Sequence, residues 1–189
     1  SFFKIAKETH CSRNKFDLNN ATSLAADPLD QTRFFFFTEN DHSLYIVRYN
    51  EFKTKKDLIA KDVLSFDLCS KYLIIISSSN SGIISCIARK EGPLSTLWER
   101  PIQSSYSSSF ITNDYYIEKV GKTVTIYEAK TLNKIQTLSH IVHVFKGGGD
   151  PLFLLTNGAI IHFKNVYRFP RPVICAVANK DSVIAWYSL

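Results

Sequence analysis

Apolar residues recur along this chain in short, strand-sized bursts separated by turn residues. The clearest example is Lys122 to Leu138 (KTVTIYEAKTLNKIQTL). Val124, Ile126 and Glu128 alternate with Thr123, Thr125 and Tyr127, a period of two rich in β-branched and aromatic side chains. Lys130-Thr131-Leu132-Asn133 supplies a turn, and Ile135 to Leu138 predicts a short return strand. Asn157-Gly158 before Ala159 to Phe163, and the run Ser43 to Tyr49 (SLYIVRY), repeat the arrangement. No stretch sustains a 3.6-residue period, so little helix is expected.

The bursts group in fours. The first unit reads Thr22 to Ala26, Arg33 to Thr38 (RFFFFT), Ser43 to Tyr49 and Lys53 to Ala60. The second reads Val63 to Leu68, Lys71 to Ser77, Gly82 to Ala88 and Thr96 to Arg100. Ser107 to Thr112, Tyr115 to Val120, Thr123 to Tyr127 and Ile135 to Leu138 make the third. Ile141 to Lys146, Leu152 to Thr156, Ala159 to Phe163 and Val166 to Phe169 make the fourth. Val173 to Ala178 and Ser182 to Tyr187 open a fifth. Second strands begin at Arg33, Lys71, Tyr115, Leu152 and Ser182, in steps of roughly 38, 44, 37 and 30 residues. The four phenylalanines Phe34 to Phe37 predict a strand packed on both faces, since an apolar run of this length usually means burial.

Such strand pairs resemble the inner-to-outer strands of β-propeller blades. The expected fold is therefore all-β and propeller-like, with four to five four-stranded blades. The blade-like units are 22–60, 63–100, 107–138, 141–169 and 173–188, within a single domain or propeller fragment over 1–189. The repeat is structural, because the G-H and W-D dipeptides of well-formed WD repeats are missing. Two short apolar pieces within 2–18 could complete the fifth unit and remove an open sheet edge.

Composition narrows the class. The 189 residues are 45% hydrophobic and 21% charged, values of an ordinary globular domain. Apolar runs such as Tyr72 to Ile76 are strand-sized, far short of the roughly 20 residues a membrane helix needs. Methionine is absent and the chain begins at Ser1, so a processed chain or a fragment is expected. Cys11, Cys69, Cys86 and Cys175 are scattered, which predicts reduced and mostly buried thiols.

The formal charge of +6 raises nucleic acid or an anionic surface as partners. Lysines and arginines are nevertheless spread along the chain, and only Lys53-Thr54-Lys55-Lys56 forms a local cluster. Lys53, Lys55 and Lys56, read as a basic turn, are the candidate partner-binding residues.

Catalytic motifs fail on context. Gly147-Gly148-Gly149-Asp150 lacks the following Gly-Lys-Ser/Thr and helix of a phosphate loop. His140 and His143 would point to opposite faces of one strand and have no nearby cysteine or carboxylate pair, so no metal site is nominated. Ser77 to Ser81 and Ser104 to Ser109 contain no nucleophile elbow. The expectation is a non-enzyme without a cofactor.

A narrower resemblance follows from ordered pieces of sequence. Asp17-Leu18, Ser23 to Pro28, Phe34 to Phe37, Leu44-Tyr45 and Tyr72 to Ser77 succeed one another much as in the N-terminal propeller of a vacuolar and endosomal tethering (HOPS/CORVET) core subunit. Thr125-Ile126-Tyr127 and Leu152 to Gly158 resemble a later part of that propeller. The pieces cover less than half the chain, and Val173 to Leu189 reads as strands where those subunits turn helical. The resemblance implies a protein-interaction scaffold in a multiprotein complex of vesicle tethering or trafficking. It implies a cytoplasmic location, peripheral to endosomal or vacuolar membranes through partners. The alternative reading is an RNA- or ribosome-biogenesis-associated propeller that binds nucleic acid through basic loops, which would place it in the nucleus.

Overall fold

The computed structural model describes residues 21–30, 32–38, 40–49, 54–78, 82–89, 94–102, 107–146, 150–178 and 182–187. Among the described residues it is all strand and turn, with no helix. The chain divides into two compact units, Ser1–Val63 and Leu64–Leu189.

In the first unit, β1 (Ala21–Ala26), β2 (Arg33–Thr38), β3 (Ser43–Tyr49) and β4 (Thr54–Ala60) form an antiparallel meander in chain order. Phe35 pairs with Ala25 on one side and Ile46 on the other. Phe35, Phe37, Leu44, Ile46 and Val47 are buried, whereas Phe34 keeps part of its surface in solvent. The pleat sends Phe34 to the face opposite Phe35 and Phe37. The β1–β2 turn is held by charge. Asp27 is buried and its Oδ1 accepts the Leu29 N–H at 2.8 Å. Arg33 Nε lies 3.2 Å from Asp27 and 3.1 Å from Asp30.

From the unit boundary onward the same meander repeats. The second sheet is β5 (Val63–Leu68), β6 (Tyr72–Ser77), β7 (Ile83–Ala88) and β8 (Ser95–Pro101). The third is β9 (Ser107–Ile111), β10 (Tyr115–Val120), β11 (Thr123–Glu128) and β12 (Lys134–Leu138). The fourth is β13 (Ile141–Phe145), β14 (Leu152–Leu155), β15 (Ile160–His162) and β16 (Asn165–Tyr167). A fifth has two strands, β17 (Val173–Ala178) and β18 (Val183–Tyr187).

Apolar faces join sheets two to five in sequence. Ile74, Ile76, Ile84 and Cys86 of the second sheet meet Ile111, Tyr116 and Ala129 of the third. The opposite face of the third sheet, with Ile117, Val124 and Ile126, meets Ile141, Val144 and Phe153 of the fourth. Phe145, Leu152 and Ile160 then meet Val173, Ala176 and Ala178 of the fifth. A strand caught between two neighbours must be apolar on both sides, which is why YYIEKV buries Tyr116 one way and Ile117 the other. Gly121, at φ 57°, lets a two-residue turn close Val120 onto Thr123.

The structure differs from the sequence reading at several places. Phe169 falls outside β16, which ends at Tyr167. Cys86 is buried, Cys69 is half-buried and Cys175 is exposed, because the β17 bulge between Val173 and Cys175 turns Cys175 outward. His140, at φ 64°, stands in the bend before β13, so His140 and His143 do not share a strand. The pieces within 2–18, with Cys11, and the glycines 147–149 lie outside the described residues.

Candidate functional site

The first strands of the second, third and fourth sheets converge on one carboxylate. Lys146 follows β13 directly, and its Nζ donates to Asp67 Oδ1 at 2.6 Å and to the Leu68 carbonyl at 2.8 Å. The other Asp67 oxygen accepts the Ile111 N–H at 2.8 Å. A β5 side chain therefore reaches both β9 and β13, two sheets along. Nearby, the buried Arg89 donates from Nη1 to the Cys69 carbonyl at 2.6 Å. These groups converge as catalytic groups can, but each carboxylate oxygen of Asp67 is already taken by a partner from the fold itself.

A second polar cluster ties the outer parts of the second and third sheets. Arg100 of β8 lies 3.2 Å from Glu118 Oε2, with side chains only 13% and 3% exposed. Its guanidinium stands 5.1 Å from the centre of the Tyr127 ring and 6.0 Å from that of Tyr116. Trp98 sits edge-on to Tyr116 and donates its indole N–H to the Ala129 carbonyl at 2.8 Å. Glu118 Oε1 is buried without a hydrogen-bond partner. Burial raises the Glu118 pKa, and Arg100 offsets part of that rise.

The structure places two of the three candidate lysines. Lys55 and Lys56 lie within β4 rather than in a turn, and Lys53 lies outside the described residues. Neighbouring strand positions face opposite ways, so the two lysines are not brought together. Lys55 pairs with Asp57 at 3.2 Å, and Lys56 Nζ lies 3.8 Å from the centre of the Tyr45 ring. The charge count signalled the cluster; the alternation of Lys55 and Lys56 was legible only once β4 was placed.

Two hollows open in the second unit. A groove of about 170 Å³ runs between the third and fourth sheets. Tyr115, Ile126, Ile135 and Gln136 line one side, and Pro151, Phe153, Phe163 and Lys164 the other. A larger hollow of about 470 Å³ lies between the β14–β15 turn and the segment Phe169-Pro170-Arg171-Pro172. Sequence reasoning named neither, since each is assembled from segments that become neighbours only through sheet stacking. Among the described residues no group of three His, Cys, Asp or Glu side chains could hold a metal ion. None of the described helices, there being none, could cross a membrane.

No protein-family model matches the chain, and no curated protein matches it. Solved structures do. Hsv2p of Kluyveromyces lactis is 11% identical with a TM-score of 0.62, covering 89% of this chain and 57% of its own. Hsv2 of Kluyveromyces marxianus is 9% identical with a TM-score of 0.60, covering 88% of this chain and 57% of its own. These are β-propeller proteins, and at such identities the likeness concerns the fold alone. The chain spans a little over half the length of the structures it matches. Its fold is that of a partial propeller, and the resemblance to a tethering-complex subunit is not shown by these structures.

Proposed function

We propose that this chain is a non-catalytic protein-interaction scaffold, a β-propeller domain or part of one in a multiprotein complex. The observation that carries the reading is the fate of the convergent polar groups. Asp67 is committed to Lys146 and Ile111, Glu118 to Arg100, and Trp98 to Ala129, so the groups that could serve chemistry instead brace one sheet on the next. A braced frame with exposed loops and grooves suits recognition. Vesicle tethering, with attachment to endosomal or vacuolar membranes through partners, is the narrower form of this proposal, and only the sequence resemblance supports it. Affinity capture with chemical cross-linking tests the reading. Stable stoichiometric partners are expected, and robust turnover by the purified chain would overturn it.

The formal charge of +6 keeps a nucleic-acid reading as the alternative. It needs Lys53, Lys55 and Lys56 to act on phosphates. RNA binding with a steep inverse salt dependence, lost on charge reversal at these three positions, is its expected signature.

A further inference from the structure

We propose that the groove between the third and fourth sheets binds an extended segment of a partner protein, with a bulky apolar side chain flanked by acidic residues. The inference rests on the scaffold reading and names the kind of partner.

Three observations carry it. The groove is apolar and small. Ile126 and Phe153, both buried, form its floor, and Tyr115, Ile135 and Phe163 form its walls. Its volume of about 170 Å³ is below the ~300 Å³ at which small-molecule sites begin, and it suits one inserted side chain.

The second observation is Phe163. It occupies the β15–β16 turn at φ 52°, a left-handed conformation that disfavours a bulky side chain. The residue is nonetheless 47% exposed, its ring tilted against His162 at 4.6 Å and edge-on to Tyr115 at 6.2 Å. Glycine would relax this backbone, so the aromatic ring is held at the groove's lip against local preference.

The third is charge and edge. Lys164 is the charged residue lining the groove, and it is exposed. Two acids stand near Tyr115, and each has a cationic or imidazole partner: Asp150 is turned to His162 at 3.3 Å and Asp114 to Lys71 at 3.9 Å. The one charged member of the lining is thus complementary to a carboxylate. Alongside the groove, β12 is the outermost strand of its sheet, with no further strand paired to it among the described residues. An extended chain laid along β12 can pair with its backbone and send alternate side chains toward the groove.

The test is fluorescence anisotropy of the full chain with the labelled peptide Gly-Ser-Glu-Leu-Glu-Phe-Glu-Ser-Gly. Binding is expected, with a loss of about tenfold or more when Leu and Phe become Ser or when the three Glu become Lys. Phe163→Gly should weaken binding by about tenfold while the melting temperature stays near that of wild type, since glycine accepts the positive φ. Lys164→Glu, at an exposed site, should reverse the preference toward the lysine peptide. Absence of binding, equal binding of all three peptides, or wild-type behaviour in both variants overturns the proposal. Those outcomes concern the groove alone. A chain with an inert groove that still captures stoichiometric partners leaves the scaffold reading standing, whereas substrate turnover removes it.

Discussion

Lys146 Nζ lies 2.6 Å from Asp67 Oδ1 although 79 positions separate the two residues. The contact skips a whole sheet, which is possible only where first strands crowd together and later strands splay apart. Both side chains are about a quarter exposed, so solvent screens part of the attraction. Asp67→Ala should destabilise by about 1–3 kcal/mol, because it leaves Lys146 and the Ile111 N–H short of an acceptor. Lys146→Met should cost less, since Asp67 keeps the Ile111 N–H. A double-mutant cycle by urea denaturation checks the pair, with an expected coupling of at least ~0.5 kcal/mol. Additive effects would mean that the convergence does not contribute to stability.

Ile126 and Lys130 are near in sequence and opposite in consequence. Ile126 is 5% exposed between the third and fourth sheets, and Lys130 stands exposed in the β11–β12 turn. Ile126→Asp should destabilise by several kcal/mol, roughly 3–5, through an unpaired charge in an apolar interface. Lys130→Ala should change stability by about 0.5 kcal/mol or less. Denaturant midpoints measured side by side check the contrast.

Cys86 and Cys175 differ in the same way. Burial pushes the Cys86 thiol up to about 12, with the neighbouring Cys69 adding to the rise, while Cys175 is exposed on β17. The thiolate is the reacting species. Iodoacetamide at neutral pH should therefore label Cys175 in the native protein and Cys86 only after denaturation. Peptide mass spectrometry reads the order.

The strands were legible in the sequence because each is short, β-rich and bounded by turn residues. Val124 and Ile126 point inward where alternation put them, and the four-strand grouping matches the sheets observed. What sequence alone left out is long-range. Nothing around Asp67 or Lys146 marks them as partners, and Phe163 gives no local hint of a left-handed turn, since glycine or asparagine normally occupies one. Glu118 is the sharpest case. In YYIEKV it alternates like an outward polar residue, yet it is buried because Arg100 on β8 lies opposite. A strand between two sheets has no outward face, so polarity there reports a partner on the neighbouring sheet.

Glu118 also sets a pH dependence. Its pKa is raised above the ordinary 4.5, first by burial, and Arg100 lowers it only in part. A carboxyl whose folded pKa exceeds its unfolded value holds its proton more tightly in the native state. Between those two pKa values the unfolded chain binds fewer protons, so stability from this group falls as pH rises. The contribution is complete below about 4.5 and is lost as pH passes the raised folded value. Other carboxylates act in the opposite sense, as with Asp41, whose pKa is lowered by hydrogen bonds from Thr38 and Tyr45. The diagnostic quantity is therefore the difference between wild type and Glu118→Gln, which no longer titrates. Urea midpoints from pH 4 to pH 7 should show wild type losing stability relative to the variant as pH rises. Arg100 loses its partner in the variant at every pH in that range, which offsets the two curves without changing the slope between them. Parallel curves would mean that Glu118 ionises in the folded protein as freely as in the unfolded chain.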